Sequence, residues 1–361
     1  MRKIILSVAV ATMALSTTAS ALEDIKVSGE SKVWYETNNA ATDMFSKDNA
    51  SGEVAFKIGV TGKQGNVGFG ATVYQTSTMG LEGTLVSGVR NGNNNVAGDG
   101  EMYTGEMYIT APIAGSTLKL GKQELDTPLA FTERWNVVPN TFNAAVSIIP
   151  ATDNLTVVAA YVGQANTGAE VGTRYGSSVL NTGGFTGTAT YALAGLYKTD
   201  SVGVNVWAYE LNSLANAVWV DAAFKAGPAA LKVYAAQMMP KGILDGADST
   251  TAFALSAGMK TGSVSLFAAA SMVSEDGALG VGNTATLNGA NAGKKTKLPT
   301  MAVYLDGRSV AAPGATSFKV KAATKVAETG LALQAVMVNN AENGVFTDAA
   351  NGGATVGESA M

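Results

Sequence analysis

Hydrophobic side chains in this chain recur at every second residue and almost never in long runs, and few folds accept that pattern. In residues 53–61, Val54, Phe56, Ile58 and Val60 fall on one side, opposite Glu53, Ala55, Lys57, Gly59 and Thr61. Ile25, Val27, Val33 and Tyr35 oppose Lys26, Ser28, Glu30, Lys32 and Glu36. Phe253, Leu255, Ala257 and Met259 oppose Ala254, Ser256, Gly258 and Lys260, and Phe318, Val320 and Ala322 oppose Ser317, Lys319 and Lys321. Successive side chains of a strand point to opposite faces, so these are strands with one apolar face and one small or polar face. The chain is apolar overall (47% hydrophobic, 14% charged against roughly 25% for soluble domains), yet no stretch after residue 22 resembles a spanning helix.

Sixteen strand candidates follow from this period: 25–37, 53–62, 66–77, 102–111, 116–123, 143–149, 154–163, 188–198, 202–211, 215–226, 229–238, 251–260, 263–273, 299–305, 315–326 and 330–338. Most approach the 9–11 residues of a tilted bilayer-crossing strand. Short turns at Lys63–Gly65, Pro112–Gly115, Ala151–Asp153, Thr199–Ser201, Gly227–Pro228 and Thr261–Gly262 alternate with long polar segments at 38–52, 78–101, 124–142, 164–187, 239–250 and 274–298. Short turns at one end and long loops at the other are the pattern of an outer-membrane barrel. The alternation falters at 212–214 and after residue 305. The expected fold is an all-β transmembrane antiparallel β-barrel of about sixteen strands. In lipid, closure removes the unpaired edges of a sheet, and that strand number leaves a wet lumen. Trp34, Tyr35, Tyr74, Tyr103, Tyr161, Tyr197, Trp207, Tyr209, Trp219 and Tyr234 lie near strand ends and are expected to form interfacial girdles.

Residues 1–21 read as a secretory leader. Arg2 and Lys3 precede an apolar run from Ile4 to Leu15, and Ala19-Ser20-Ala21 is a small-x-small cleavage site. Residues 22–361 then form one barrel domain in the bacterial outer membrane. Losing two basic residues with the leader takes the formal net charge from −4 to −6, a poor balance for nucleic-acid binding. The absence of Cys and His removes disulfides, thiol nucleophiles, Cys- or His-based zinc sites and His-dependent acid–base chemistry. Gly289–Thr296 has the outline of a phosphate-binding loop, but three residues separate its glycines instead of four. No carboxylate dyad stands out. No enzyme, cofactor or metal is expected.

Residues 121–143 carry the most specific signal. Gly121, Lys122 and Gln123 leave the fifth strand, followed by Leu125, Asp126, Thr127, Pro128 and Leu129, then Arg134, and finally Pro139, Asn140, Thr141 and Phe142. This segment, with the mature start Leu22-Glu23-Asp24-Ile25, resembles the OprD-like outer-membrane porins, in particular the major porins of epsilonproteobacteria. The resemblance implies a lumen narrowed by loop 124–142, an eighteen-stranded barrel and a terminal aromatic residue. Here sixteen strands are readable and Asn339–Met361 is polar, so a truncated chain is the favoured expectation.

Strand parity places Glu30, Lys32, Glu53, Lys57, Lys119, Asp221, Lys232, Lys319 and Lys321 on the lumen face, and the inward loop adds Asp126, Glu133 and Arg134 as constriction residues. Arg or Lys facing lipid at mid-depth would cost about 2–4 kcal/mol. The expected function is passive diffusion of small hydrophilic solutes and ions with a mild cation preference. The expected partners are those solutes, outer-membrane lipid and, by resemblance, two further copies in a homotrimer. A substrate-specific channel for amino acids or peptides is one alternative, and a secreted β-rich surface adhesin is another.

Overall fold

The computed structural model describes residues 22–37, 46–86, 102–135, 137–165, 190–211, 214–284, 295–302, 307–327 and 329–339. The leader, the segment 166–189 and the segment 340–361 lie outside the described residues, and so do the expectations placed on them.

Fifteen strands form one sheet in strict chain order, every neighbouring pair antiparallel. They are β1 (Glu23–Thr37), β2 (Ala50–Gln64), β3 (Val67–Ser77), β4 (Met102–Ile113), β5 (Ser116–Gln123), β6 (Phe142–Pro150), β7 (Leu155–Ala165) and β8 (Thr190–Lys198). Then come β9 (Val202–Leu211), β10 (Ala215–Ala226), β11 (Ala229–Pro240), β12 (Thr250–Thr261), β13 (Val264–Val273), β14 (Thr316–Val326) and β15 (Thr329–Asn339). This is the up-and-down order of an antiparallel barrel wall. Among the described residues β1 and β15 are its two edges, and both run in the same direction.

The candidate strand 299–305 is not a strand in its described part. Leu298–Thr300 bends, and a short helix, α1 (Gly307–Ala311), follows. Pro299 lacks the N–H that a central strand requires. Among the described residues of 274–315 no strand intervenes between β13 and β14. With that candidate removed from the strand count, the two hairpin ends alternate without a break. Even the brief 212–214 connection falls on the long-loop end.

The outward face is greasy. Val27, Val33, Phe56, Ile109, Leu193, Phe253, Leu255, Val320 and Leu333 are all exposed. Each such side chain moved from water into lipid contributes about 1.5–3 kcal/mol. Inward positions on the same strands are small or polar, and many are buried: Glu53, Asp221, Ser256, Ser271 and Ser317. Some inward glycines make room for neighbours. A Cβ at Gly70 would lie 2.4 Å from the ring of Tyr108, and one at Gly105 the same distance from Tyr74. The tight end uses positive φ, as at Ala114 (50°) and Gly115 (79°), which suits the right-handed twist of a hairpin.

The inner face is not an empty hole. One buried apolar cluster joins Leu125 and Leu129 of the β5–β6 loop to Trp207, Trp219, Met238 and Val338 of the wall, and to Leu279, Val281 and Leu298 of the β13–β14 connection. A smaller cluster packs Val137 and Val138 on Ala55, Tyr74 and Trp34. A wall that touches the same loop from β1–β3 and from β9–β10 must curl around it.

Candidate functional site

The β5–β6 loop, 124–141, folds into the lumen because it satisfies its own backbone there. Asp126 and Phe131 form an isolated antiparallel bridge. The Thr132 N–H donates to the Leu125 carbonyl at 2.8 Å, and the Thr127 hydroxyl donates to the Ala130 carbonyl at 2.8 Å. Asn140 closes the far side: its Oδ1 accepts from the Glu133 N–H at 2.7 Å and its Nδ2 donates to the Phe131 carbonyl at 3.2 Å. Buried backbone polar groups need such partners. Thr127, Thr132 and Asn140 supply them where a strand neighbour is missing.

The second inward segment, from the β13–β14 connection, docks on the first. The Thr284 N–H donates to the Leu129 carbonyl at 2.7 Å. Asn283, fully buried, reaches Phe131 and Glu133. Lys297 pairs with Asp126 at 2.5 Å and lies over the Phe131 ring, 4.6 Å from its centroid.

Together these contacts link charges of both signs from the wall along the loop. Lys119 stands 3.9 Å from Glu106, whose Oε1 accepts the Glu124 N–H at 3.2 Å. The Arg134 Nε donates to Glu124 at 2.6 Å, with Asp126 3.9 Å from its Nη1. Burial opposes the Arg134 charge, but the hydrogen bond and charge of Glu124, with Asp126 and Glu106 beyond, outweigh it and hold the guanidinium above its ordinary value. Facing these charges, Asp221 on β10 accepts from Lys232 (2.9 Å), Asn205 Nδ2 (2.9 Å) and Trp219 Nε1 (3.0 Å). Between the two lies a space of about 290 Å³ bordered by Asp126, Pro128, Lys297, Trp207, Asp221 and Lys232, with Leu196, Asn205, Trp219 and Tyr234.

The residues expected at the lumen fall into different surroundings. Asp126 and Arg134 are exposed on the β5–β6 loop, whereas Glu133 is 1% exposed and sits between the two inward segments, bonded to Asn283. Asp221 and Lys232 border the same space from the wall. Lys32 donates to the Arg134 carbonyl at 2.9 Å and lies 3.9 Å from Glu30, so β1 holds the loop from behind. Lys57 stands over the Tyr74 ring at 5.6 Å. Lys119 stands over Tyr108 at 3.7 Å. Lys319 donates to the Met301 carbonyl at 2.6 Å and props the second segment. Lys321 lines a separate inward cavity with Lys260, Lys319 and Phe267. Glu53 is buried at the long-loop end of β2.

The girdle expectation needs correction. Tyr35, Tyr161 and Tyr197 are exposed on the outer face, but Trp34, Tyr74, Trp207, Tyr209, Trp219 and Tyr234 pack toward the lumen. Their parity matches that of Lys32, Asp221 and Lys232, and the inward loops give them apolar surface to cover. The Tyr103 side chain is outside the described residues. Sequence reasoning also passed over Glu106, Glu124, Asn283 and Lys297. Glu106 alternates with the outward Met107, so parity alone reaches it. Lys297 lies outside any strand and carries no such signal.

No protein-family profile and no curated protein sequence matches the chain. Solved structures do. The crystal structure of Pseudomonas aeruginosa OccK3 (OpdO) superposes with a TM-score of 0.66 at 14% identity, covering 89% of this chain and 81% of that one. Acinetobacter baumannii OccAB1 gives 0.65 at 14%, covering 88% and 80%. Pseudomonas aeruginosa OprD gives 0.62 at 15%, covering 87% and 75%. The chain has the fold of the OprD-type porins. The similarity reaches that group as a whole, and the narrower likeness to epsilonproteobacterial porins rests on the mature start and residues 121–143. A single sheet wrapped around its own loops leaves no place for the two stacked layers of a soluble sandwich, which removes the structural basis of the adhesin alternative.

Proposed function

We propose that this chain is a porin of the bacterial outer membrane, exported by the leader 1–21, through which small hydrophilic solutes and ions diffuse passively. One observation supports the reading: a sheet with an apolar, lipid-suited outer face curls about charged inner residues on which two inward segments pack. No bond is made or broken. Asp126, Arg134, Asp221 and Lys232, with Lys297, form the narrowing, and Glu30, Lys32, Lys57, Lys119, Lys319 and Lys321 line or brace the wall around it. The net charge of −6 after leader removal supports a mild cation preference that weakens as salt shortens the reach of the field. The protein works within lipid, assembled as a homotrimer, and needs no cofactor. Planar-bilayer recording tests this. Stepwise ohmic conductance with reversal potentials on the cation side at low salt supports the reading, and a detergent-solubilised protein that never conducts refutes it.

A second reading, a channel selective for amino acids or peptides, is favoured by the narrowing itself. A solute bearing both signs meets Lys297 and Asp126 on one side and Lys232 and Asp221 on the other, with Trp207 and Trp219 beside its apolar part. Liposome-swelling rates that saturate with a zwitterionic amino acid, and not with a sugar of equal size, would favour it over general diffusion.

A further inference from the structure

Asn283 belongs to no strand and is fully buried, and it makes three hydrogen bonds to the constriction loop. Its Oδ1 accepts the Phe131 N–H at 3.1 Å. Its Nδ2 donates to the Phe131 carbonyl at 2.9 Å and to Glu133 Oε1 at 3.1 Å. The chemistry allows only this orientation of the amide, because one partner is a donor and two are acceptors. The carboxamide thus does for Phe131 what a neighbouring strand would do, satisfying both of its backbone groups. Phe131 is also the residue whose ring lies under Lys297, and its bridge partner is Asp126. Whatever fixes Phe131 fixes the Asp126–Lys297 pair that borders the passage.

We propose that Asn283 is a latch: a positioning residue that ties the β13–β14 segment to the β5–β6 loop and so sets the aperture and its charge placement. The proposal rests on the channel reading. Asn283 acts on the permeant path through Phe131 and Glu133. Each buried hydrogen bond of this kind favours the docked state roughly fivefold, so three lost together raise the undocked fraction about a hundredfold. The loops stay tethered by the Thr284–Leu129 backbone bond and the Lys297–Asp126 pair, so the loss shows as motion within an intact wall.

The test is single-channel recording of the full chain and its variants, each checked for heat-modifiable migration on gels. Asn283→Ala is expected to migrate normally and to show conductance sublevels and increased open-channel noise. Asn283→Asp keeps the size but sets a carboxylate against Glu133 and the Phe131 carbonyl, and should be noisier still. Adding Glu133→Gln to Asn283→Asp supplies a donor to one of the two facing acceptors and should make the openings quieter than in Asn283→Asp alone. Normal migration with unchanged traces in Asn283→Ala and Asn283→Asp overturns the latch, as does damage that Glu133→Gln only deepens. Loss of the heat-modifiable form in Asn283→Ala assigns the residue to folding and overturns it too. A silent unsubstituted protein refutes the channel reading first, a result distinct from a conducting protein whose variants match it.

Discussion

Asp221 offers the sharpest test of how the narrowing handles charge. Its carboxylate is buried behind Lys232, Asn205 and Trp219, so Asp221→Asn removes one negative charge with little change of shape. An ion in the adjoining space of about 290 Å³ passes roughly 6 Å away. At that distance in water one unit charge is worth about 0.7 kcal/mol. Removing it disfavours a monovalent cation and favours an anion by that amount each, so the anion-to-cation permeability ratio should rise about tenfold at low salt. Near physiological ionic strength, with a Debye length of about 8 Å, the interaction is roughly halved and the rise is about threefold. The substitution also leaves Lys232 without its carboxylate. That lysine is about one-third exposed (35%) and water screens it, so the cost to stability is about 1–3 kcal/mol rather than the full penalty of a buried unpaired charge. Reversal potentials across a salt gradient measure the first effect, and the temperature at which the heat-modifiable form is lost measures the second. A folded Asp221→Asn channel with the original reversal potential at both salt levels would show that ions do not pass this pair.

Three further substitutions probe separate links. Lys297→Met frees Asp126 and should shift selectivity toward cations by a similar factor in the same recordings. Gly121 has φ of 120°, and a Cβ there would lie 2.4 Å from the Met107 carbonyl oxygen; Gly121→Ala should therefore cost about 1–3 kcal/mol, read as a lower midpoint in urea refolding into vesicles. Leu255→Arg on the outer face should cost about 2–4 kcal/mol in that assay, whereas Ala230→Arg, exposed toward the lumen, should cost under about 1 kcal/mol; equal costs would contradict the orientation of the wall.

The period of two was enough to locate fifteen strands, because in lipid the apolar face must be continuous along each crossing and cannot drift. The same period was underused for the aromatics. Asp221 assigned to the lumen entails Trp219, two residues away on the same strand, and Lys232 entails Tyr234 in the same way. Both rings pack inward. The loops were another matter. Pro299 opens the candidate strand 299–305 and the helix Gly307–Ala311 follows it; the apolar residues that suggested a strand there include Met301 and Ala302, which lie in no strand. Asn283 and Lys297 are positioned by contacts with residues 150 to 171 positions away. No local spacing encodes such a contact, so the docking of one inward segment on the other is visible only in three dimensions.

Ion preference sets two sums of charge against each other, and salt decides which one an ion feels. The net charge of −6 expected for a chain without residues 1–21 counts every residue, wherever it lies. At about 0.01 M salt the Debye length is about 30 Å, so the whole sum acts and the proposed channel should favour cations. Near 1 M it falls to about 3 Å, and only the side chains beside the path remain. On the inner wall of β10–β14, Lys225, Lys260, Lys321 and Lys325 share the inward parity of Asp221 and Ser317 and have no carboxylate in ion-pair range among the described residues. Locally, then, the wall is positive. The reversal potential at a fixed concentration ratio should move from the cation side toward the anion side as mean salt rises, and Lys260→Gln with Lys321→Gln should weaken that movement. A preference that merely fades to zero with salt, alike in both proteins, would mean that the lower wall is too wide for its lysines to reach the ions that pass.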